Sequence, residues 1–100
     1  MIYYTQLIFI KPGKEMEFHA FEDKVLPLLA NHGSELLYRV RPDKESFIAG
    51  TGEQPYEIHL VTFRDVEGFK SYGADPQRLA FVGMKNESVE KVVLIEGRAI

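Results

Sequence analysis

The chain has 100 residues, 45% of them hydrophobic and 27% charged, which is ordinary for one globular domain with a modest core. Its net charge of -3 gives no broad basic surface and argues against nucleic-acid binding. The absence of cysteine excludes disulfides, a thiolate nucleophile and a cysteine-ligated metal, and it fits the cytoplasm, which is the expected location.

The first part of the chain predicts a strand followed by a helix. Residues 2–10 are rich in aromatic and β-branched side chains and end at a Lys-Pro-Gly turn, which indicates a strand. This apolar stretch is too short to span a membrane, so no membrane association is expected. Over residues 14–31 apolar side chains recur every three or four positions, which predicts an amphipathic helix. Pro27 should kink or break it, and Gly33 should end it in the left-handed conformation.

The middle of the chain predicts two strands joined by a long connection. Residues 35–41 form the second strand, and 55–63, with the sequence PYEIHLVTF, form the third. The connection over 42–55 contains apolar residues, so we expect it to fold back onto the domain.

The last third of the chain predicts two helical segments and a final strand. The segments 65–72 and 75–85 each begin at an aspartate suited to an N-cap, and in the second a proline follows at the first helical position. Residues 89–96 form the fourth strand. The element order is therefore βαββαβ.

This order predicts an α+β, ferredoxin-like fold, a four-stranded antiparallel sheet with its helices on one face. Residues 7–10 and 92–95 are apolar on both sides of their strands, a pattern typical of a sheet buried on both faces. The helices can cover only one face, so the other face is expected to pack on a second copy of the chain. The alternative is a monomer in which the 42–55 connection covers that face. We treat residues 1–100 as a single domain of this kind.

His59 is the candidate catalytic residue. It shares one side of the third strand with Glu57, and an imidazole with an ordinary pKa of about 6.5 is suited to general acid or base chemistry. The two residues are separated by about 6–7 Å along the strand, so no direct bond between them is expected. In the structural alternative, a cross-strand tyrosine or a backbone group satisfies His59.

Several other polar and aromatic side chains are candidates for ligand binding. Arg39 and Arg41 project to one side of the second strand and could clamp a carboxylate or a phosphate. Alternatively, they pair with Glu57 or face solvent. Aromatic residues of the second helical region are either core residues or the lining of a pocket. The candidate ligand-binding residues are Tyr4, Gln6, Tyr38, Arg39, Arg41, Glu57, Phe69 and Tyr72.

No metal and no cofactor is expected. The three histidines lack the H-x-H, H-x-x-x-H and H-E-x-x-H spacings of metal sites, and no glycine-rich phosphate loop precedes a helix.

Four stretches carry a resemblance to a known group of proteins. YTQLIFIKPGKE, FEDKVLPLL, LLYRVRP and PYEIHLVTFRDVEGFKSY resemble the dimeric α+β barrel superfamily over nearly the whole chain. The similarity is closest to small stand-alone domains of unassigned function, and more distant to NIPSNAP-like proteins and antibiotic-biosynthesis monooxygenases. It implies a dimer with facing sheets and a small-molecule pocket between a sheet and its own helices or between the two sheets. The haem-degrading members use a tryptophan and a helical histidine near the second half of the fold. This chain has no tryptophan and no histidine after residue 59, so no haem is expected.

Three functions are compatible with the sequence. The first is a cytosolic homodimer that binds a small, largely apolar metabolite. The second is a cofactor-independent monooxygenase or isomerase in which His59 handles protons. The third is a non-catalytic structural or interaction module whose partner is a second copy of itself.

Overall fold

Four strands form one antiparallel sheet in the computed structural model, which describes residues 1–100. They are β1 (Ile2–Ile10), β2 (Ser34–Val40), β3 (Glu57–Phe63) and β4 (Val89–Gly97). The order across the sheet is β2-β3-β1-β4, and all three neighbouring pairs are antiparallel. This topology confirms the ferredoxin-like prediction.

The first helical region changes type near Pro27. The α-helix α1 (Glu15–Val25) is followed by a 3₁₀ helix (Leu26–His32), so the helix predicted over 14–31 breaks near Pro27, as expected. Proline has no N–H to donate to the carbonyl four residues earlier, so the chain continues in the tighter helix. Gly33 ends it with φ of 67°, as predicted.

The second helical region contains three helices rather than two. These are α2 (Val66–Gly73), α3 (Pro76–Leu79) and α4 (Val82–Ser88). Asp65 and Asp75 cap α2 and α3, as predicted. Their carboxylates accept hydrogen bonds from the backbone N–H groups of Gly68 (2.9 Å) and Gln77 (2.8 Å). The predicted continuous helix over 75–85 is wrong, because Phe81 leaves the helical region with φ of -109° and ψ of 9°. No helix of the chain has the length and apolar character needed to cross a membrane.

The residues with even numbers on β1 face the helices. They are paired across the sheet with the β3 residues of odd number, which include Glu57 and His59. The sequence could not decide which side of β3 faces the helices, and the structure places its polar pair on the helical side. A buried core lies between this face and the helices, formed by Ile2, Tyr4, Leu29, Val61 and Phe63, with Phe18, Phe21 and Val25 of α1 buried beside it.

The opposite face of the sheet carries no helix, and the domain is a thin slab of 37 × 35 × 16 Å. The connection between β2 and β3 lies beside Leu7 and Ile58, at one end of this face. Tyr38, Val93 and Ile95 on this face are 64%, 40% and 52% exposed, so the connection does not cover the face as the monomeric alternative required. We call this surface the open sheet face; its side chains include Leu7, Tyr38, Val40, Ile58, Leu60, Val93 and Ile95.

Candidate functional site

A cleft of about 450 Å³ separates the sheet from its own helices. Nine of its fifteen lining residues are hydrophobic. The sheet contributes Ile8 of β1 and Leu94 of β4, and the helical side contributes Phe21, Phe69 and Tyr72. A largely apolar cleft of this size with a few polar groups is typical of small-molecule sites.

A narrow extension of about 60 Å³ carries the cleft inward to His59. The two spaces adjoin, because Gln6, Phe21, Glu22, Leu29, Tyr72 and Arg78 line both of them. A larger depression of about 530 Å³ lies beside Arg41 and Tyr56, but only four of its twelve lining residues are hydrophobic. The cleft is therefore the better site for burying a ligand.

Glu57 is the centre of a buried charged cluster. Its carboxylate accepts hydrogen bonds from Arg39 Nε (2.8 Å), Arg39 Nη2 (3.2 Å) and Arg41 Nε (2.8 Å). His59 Nε2 lies 2.7 Å from Glu57 Oε1. Burial by itself raises the pKa of Glu57, but the hydrogen bonds from His59, Arg39 and Arg41 outweigh burial and lower the pKa to about 2.

The bond between His59 and Glu57 corrects the prediction that the two do not meet. Alternate residues of a strand are widely spaced at the backbone, but the glutamate side chain and the imidazole ring together span the gap. Because an ionised carboxylate can only accept, Nε2 must carry the hydrogen. In the neutral ring the lone pair is then on Nδ1, and His59 lines the inner end of the cleft.

Glu22 is a second buried carboxyl group, and it lies in the cleft itself. It is 7% exposed, lines both the cleft and its extension, and forms no hydrogen bond or ion pair with the protein. Burial raises the pKa of Glu22 above its ordinary value, against the opposing charges of His59 and Arg39. Such a carboxyl takes up and releases a proton at higher pH than an exposed one.

The structure brings some of the predicted site residues together. Gln6, Phe69 and Tyr72 line the cleft, and His59 lines its extension. Tyr4 lies under the cleft, where its ring stacks on Phe69 at 4.3 Å.

The other predicted site residues have different positions. Arg39 and Arg41 pair with Glu57, which confirms the alternative proposed for them. Tyr38 is 64% exposed on the open sheet face and does not reach the cleft.

Sequence reasoning missed the charged residues of the cleft, which are Glu22, Lys70, Arg78 and Lys85. For Glu22 a signal existed: it occupies the apolar stripe of the first helical region formed with Phe18, Val25 and Leu29, at spacings of four, three and four. A carboxyl on such a stripe is directed toward the interior. The basic residues belong to short helical segments without a clear stripe, and no sequence signal identified them.

The fold is that of ferredoxin-like α+β proteins, and comparison with solved structures supports this. A NIPSNAP domain protein from Burkholderia xenovorans has a TM-score of 0.75 and 18% identity, over 100% of this chain and 95% of that one. A protein of unknown function from Rhodopseudomonas palustris has a TM-score of 0.81 and 16% identity, over 99% and 82%. A dimeric protein of unknown function with a ferredoxin-like fold from Bacteroides fragilis has a TM-score of 0.70 and 13% identity, over 98% and 95%.

At these identities the structural similarity establishes the fold of the chain. The presence of a NIPSNAP domain protein among the similar structures confirms the predicted similarity to NIPSNAP-like proteins. No family model matches the sequence. No curated protein matches it either.

Proposed function

We propose that the protein is a homodimer that binds a small, largely apolar metabolite in the cleft between its sheet and its helices. The cleft itself is the observation that carries this proposal. Its volume of about 450 Å³ lies in the range of ligand sites, and its walls are mainly apolar. The polar side chains of Gln6 and Glu22 at its inner end are suited to orienting a ligand.

The open sheet face supports the homodimer. Val93 and Ile95 are 40% and 52% exposed there, and Val40 on β2 is 47% exposed. A broad apolar surface of this kind is unusual on a monomer and is buried when two sheets stack face to face. The Bacteroides fragilis protein of the same fold is described as dimeric.

Replacing Leu94 by tryptophan tests the cleft as the binding site. Leu94 is 46% exposed and lines the cleft on β4, so a larger ring there should occupy part of the space. We expect the dissociation constant of the neutral fluorescent probe N-phenyl-1-naphthylamine to rise at least about tenfold, a loss of about 1.4 kcal/mol. Probe emission, excited outside the tryptophan absorption band, measures the binding.

Leu79→Trp is the matched control, because Leu79 is also 46% exposed but does not line the cleft. It should bind the probe as the wild type does. Equal probe affinities in the wild type and in Leu94→Trp would show that the cleft is not the site.

A second candidate function is acid–base catalysis on an enolisable substrate in the same cleft. The observation that favours it is the position of Glu22 and His59 along one extension. The Nδ1 atom of a neutral His59 can accept a proton, and a protonated Glu22 can donate one, which are the two steps of a keto–enol isomerisation. No cofactor takes part in such a reaction.

The titration of Glu22 tests this second candidate. Because burial raises the pKa of Glu22, its carboxyl should titrate above the ordinary value of 4.5. The Cδ chemical shift of protein labelled with [13C]glutamate measures this, and the resonance that is lost in Glu22→Gln assigns it. A Glu22 pKa at or below 4.5 would show that burial does not favour the protonated carboxyl, and would remove the support for Glu22 as the proton donor.

A further inference from the structure

We propose that the ligand of the cleft is an amphipathic anion, with a carboxylate or similar acidic group bound by Arg78 and an apolar body held against the sheet. This inference rests on the proposed binding function and specifies its ligand class. The inference is based on the basic residues of the cleft, none of which forms a salt bridge within the chain.

Arg78 packs beside two aromatic rings, and its buried Nε atom lacks a hydrogen-bond acceptor. Its guanidinium carbon lies 5.0 Å from the ring centroid of Tyr72 and 5.9 Å from that of Phe21. Both are cation–π contacts, and neither ring provides a hydrogen-bond acceptor for the Nε atom of Arg78. The Nε atom is buried without a hydrogen-bond partner, and Arg78 forms no salt bridge.

A buried N–H without an acceptor is costly, so this donor is explained if an acceptor arrives with the ligand. The Nε and one Nη atom of arginine together match the two oxygens of a carboxylate. The rings of Tyr72 and Phe21 pack beside the guanidinium and restrict its movement before the ligand binds. Less side-chain entropy is then lost on binding.

The charge in the cleft favours an anion. Lys70 and Lys85 also line it, and neither forms a salt bridge. Glu22 is the one acidic residue among the fifteen that line the cleft, and the three basic residues outnumber it. The cleft is therefore cationic in a chain whose net charge is -3.

The apolar walls define the rest of the ligand. Ile8, Val92 and Leu94 form an aliphatic floor on the sheet, and Phe69 faces it from α2. A highly charged ligand such as a nucleotide would have little to contact on these walls. A small aliphatic or aromatic acid can pack its apolar part against the floor and pair its acidic group with Arg78.

Two fluorescent probes that differ in one charged group test the inference. 8-Anilino-1-naphthalenesulfonate carries a sulfonate, and N-phenyl-1-naphthylamine has the same ring system without it. We expect the wild type to bind the anionic probe about tenfold more tightly or better, as one charge-assisted hydrogen bond implies. Arg78→Met should remove most of this preference and leave the dissociation constant of the neutral probe within about twofold.

Two further variants serve as controls. Arg64→Met removes an equal charge outside the cleft, from an exposed residue that also forms no salt bridge, and should keep the preference. Arg78→Lys should keep part of it, because the charge remains while the two-atom fork is lost.

The outcomes separate the two proposals. Equal affinities for the two probes in the wild type, or a preference that survives in Arg78→Met, would overturn the anionic ligand and leave the cleft as a binding site. If neither probe binds, or if Leu94→Trp binds both like the wild type, the proposed function fails and the inference fails with it.

Discussion

Replacing Glu57 by glutamine is expected to lower the free energy of unfolding by about 3 kcal/mol, as is typical when one partner of a buried ion pair is removed. The carboxylate of Glu57 is fully buried and accepts hydrogen bonds from two arginines and from His59. The amide has the same shape but no charge, and its NH₂ group faces donors. The NH₂ replaces one of the two oxygens, so either Arg39 Nε and His59, or Arg41, would lose an acceptor in a setting with little water. Urea unfolding measures the change.

The pH dependence provides an independent check on Glu57. Its folded-state pKa of about 2 is below the ordinary 4.5, so its stabilisation is complete above pH 4.5 and is lost as the pH falls through 2. The difference in unfolding free energy between wild type and Glu57→Gln should therefore shrink over this interval.

The control for Glu57→Gln is Glu53→Gln on the surface. Glu53 pairs with Lys91 at 2.7 Å, a distance equal to that between His59 and Glu57, but its side chain is 62% exposed. The loss there should be below about 1 kcal/mol, because water screens exposed pairs. Equal losses in the two variants would mean that burial does not strengthen the Glu57 cluster.

Replacing Leu7 by aspartate is expected to convert the proposed dimer into monomers. Leu7 lies on the open sheet face between its cross-strand neighbours Ile58 and Val93. In a two-fold interface the new carboxylate occurs twice, so two like charges are removed from water together. We expect the dimer dissociation constant to rise about a hundredfold or more, which corresponds to about 2.8 kcal/mol.

Sedimentation equilibrium measures this change. The wild type should sediment as twice the chain mass of 11.5 kDa and Leu7→Asp as a single chain. Leu79→Asp, which places the same charge on an exposed residue of α3, should remain dimeric. A wild type that sediments as a single chain at high concentration would contradict the homodimer.

The fold could be predicted because each element has a strong local pattern. The strands 2–10 and 89–96 with their apolar runs at 7–10 and 92–95, the helical spacing before Pro27 and the aspartate caps all agree with one topology. The break at Phe81 could not be predicted, because Ala80 and Phe81 have no sequence feature that excludes a helix. It arises where Phe81 donates its backbone N–H to Arg78, three residues earlier.

The site was less predictable, because it depends on pairings between distant elements. The alternation of β3 placed Glu57 and His59 on one side, but only the packing of α1 shows that this side is covered. The bond between them depends on side-chain rotamers, which periodicity does not specify. Glu22 was detectable as a carboxyl on the stripe of α1. The position of Arg78 in the cleft depends on how α3 packs against α1 and α2, which no sequence pattern specifies.

The cleft and the open sheet face lie on opposite sides of the same sheet. Two copies stacked through their bare faces would therefore direct their cleft mouths outward, away from each other, and neither copy would obstruct the other's entrance. Such an assembly would bind one ligand per subunit, two in all. Because the two clefts are not in contact, binding of the first ligand should not change the affinity for the second. Saturation curves for such an assembly would be hyperbolic.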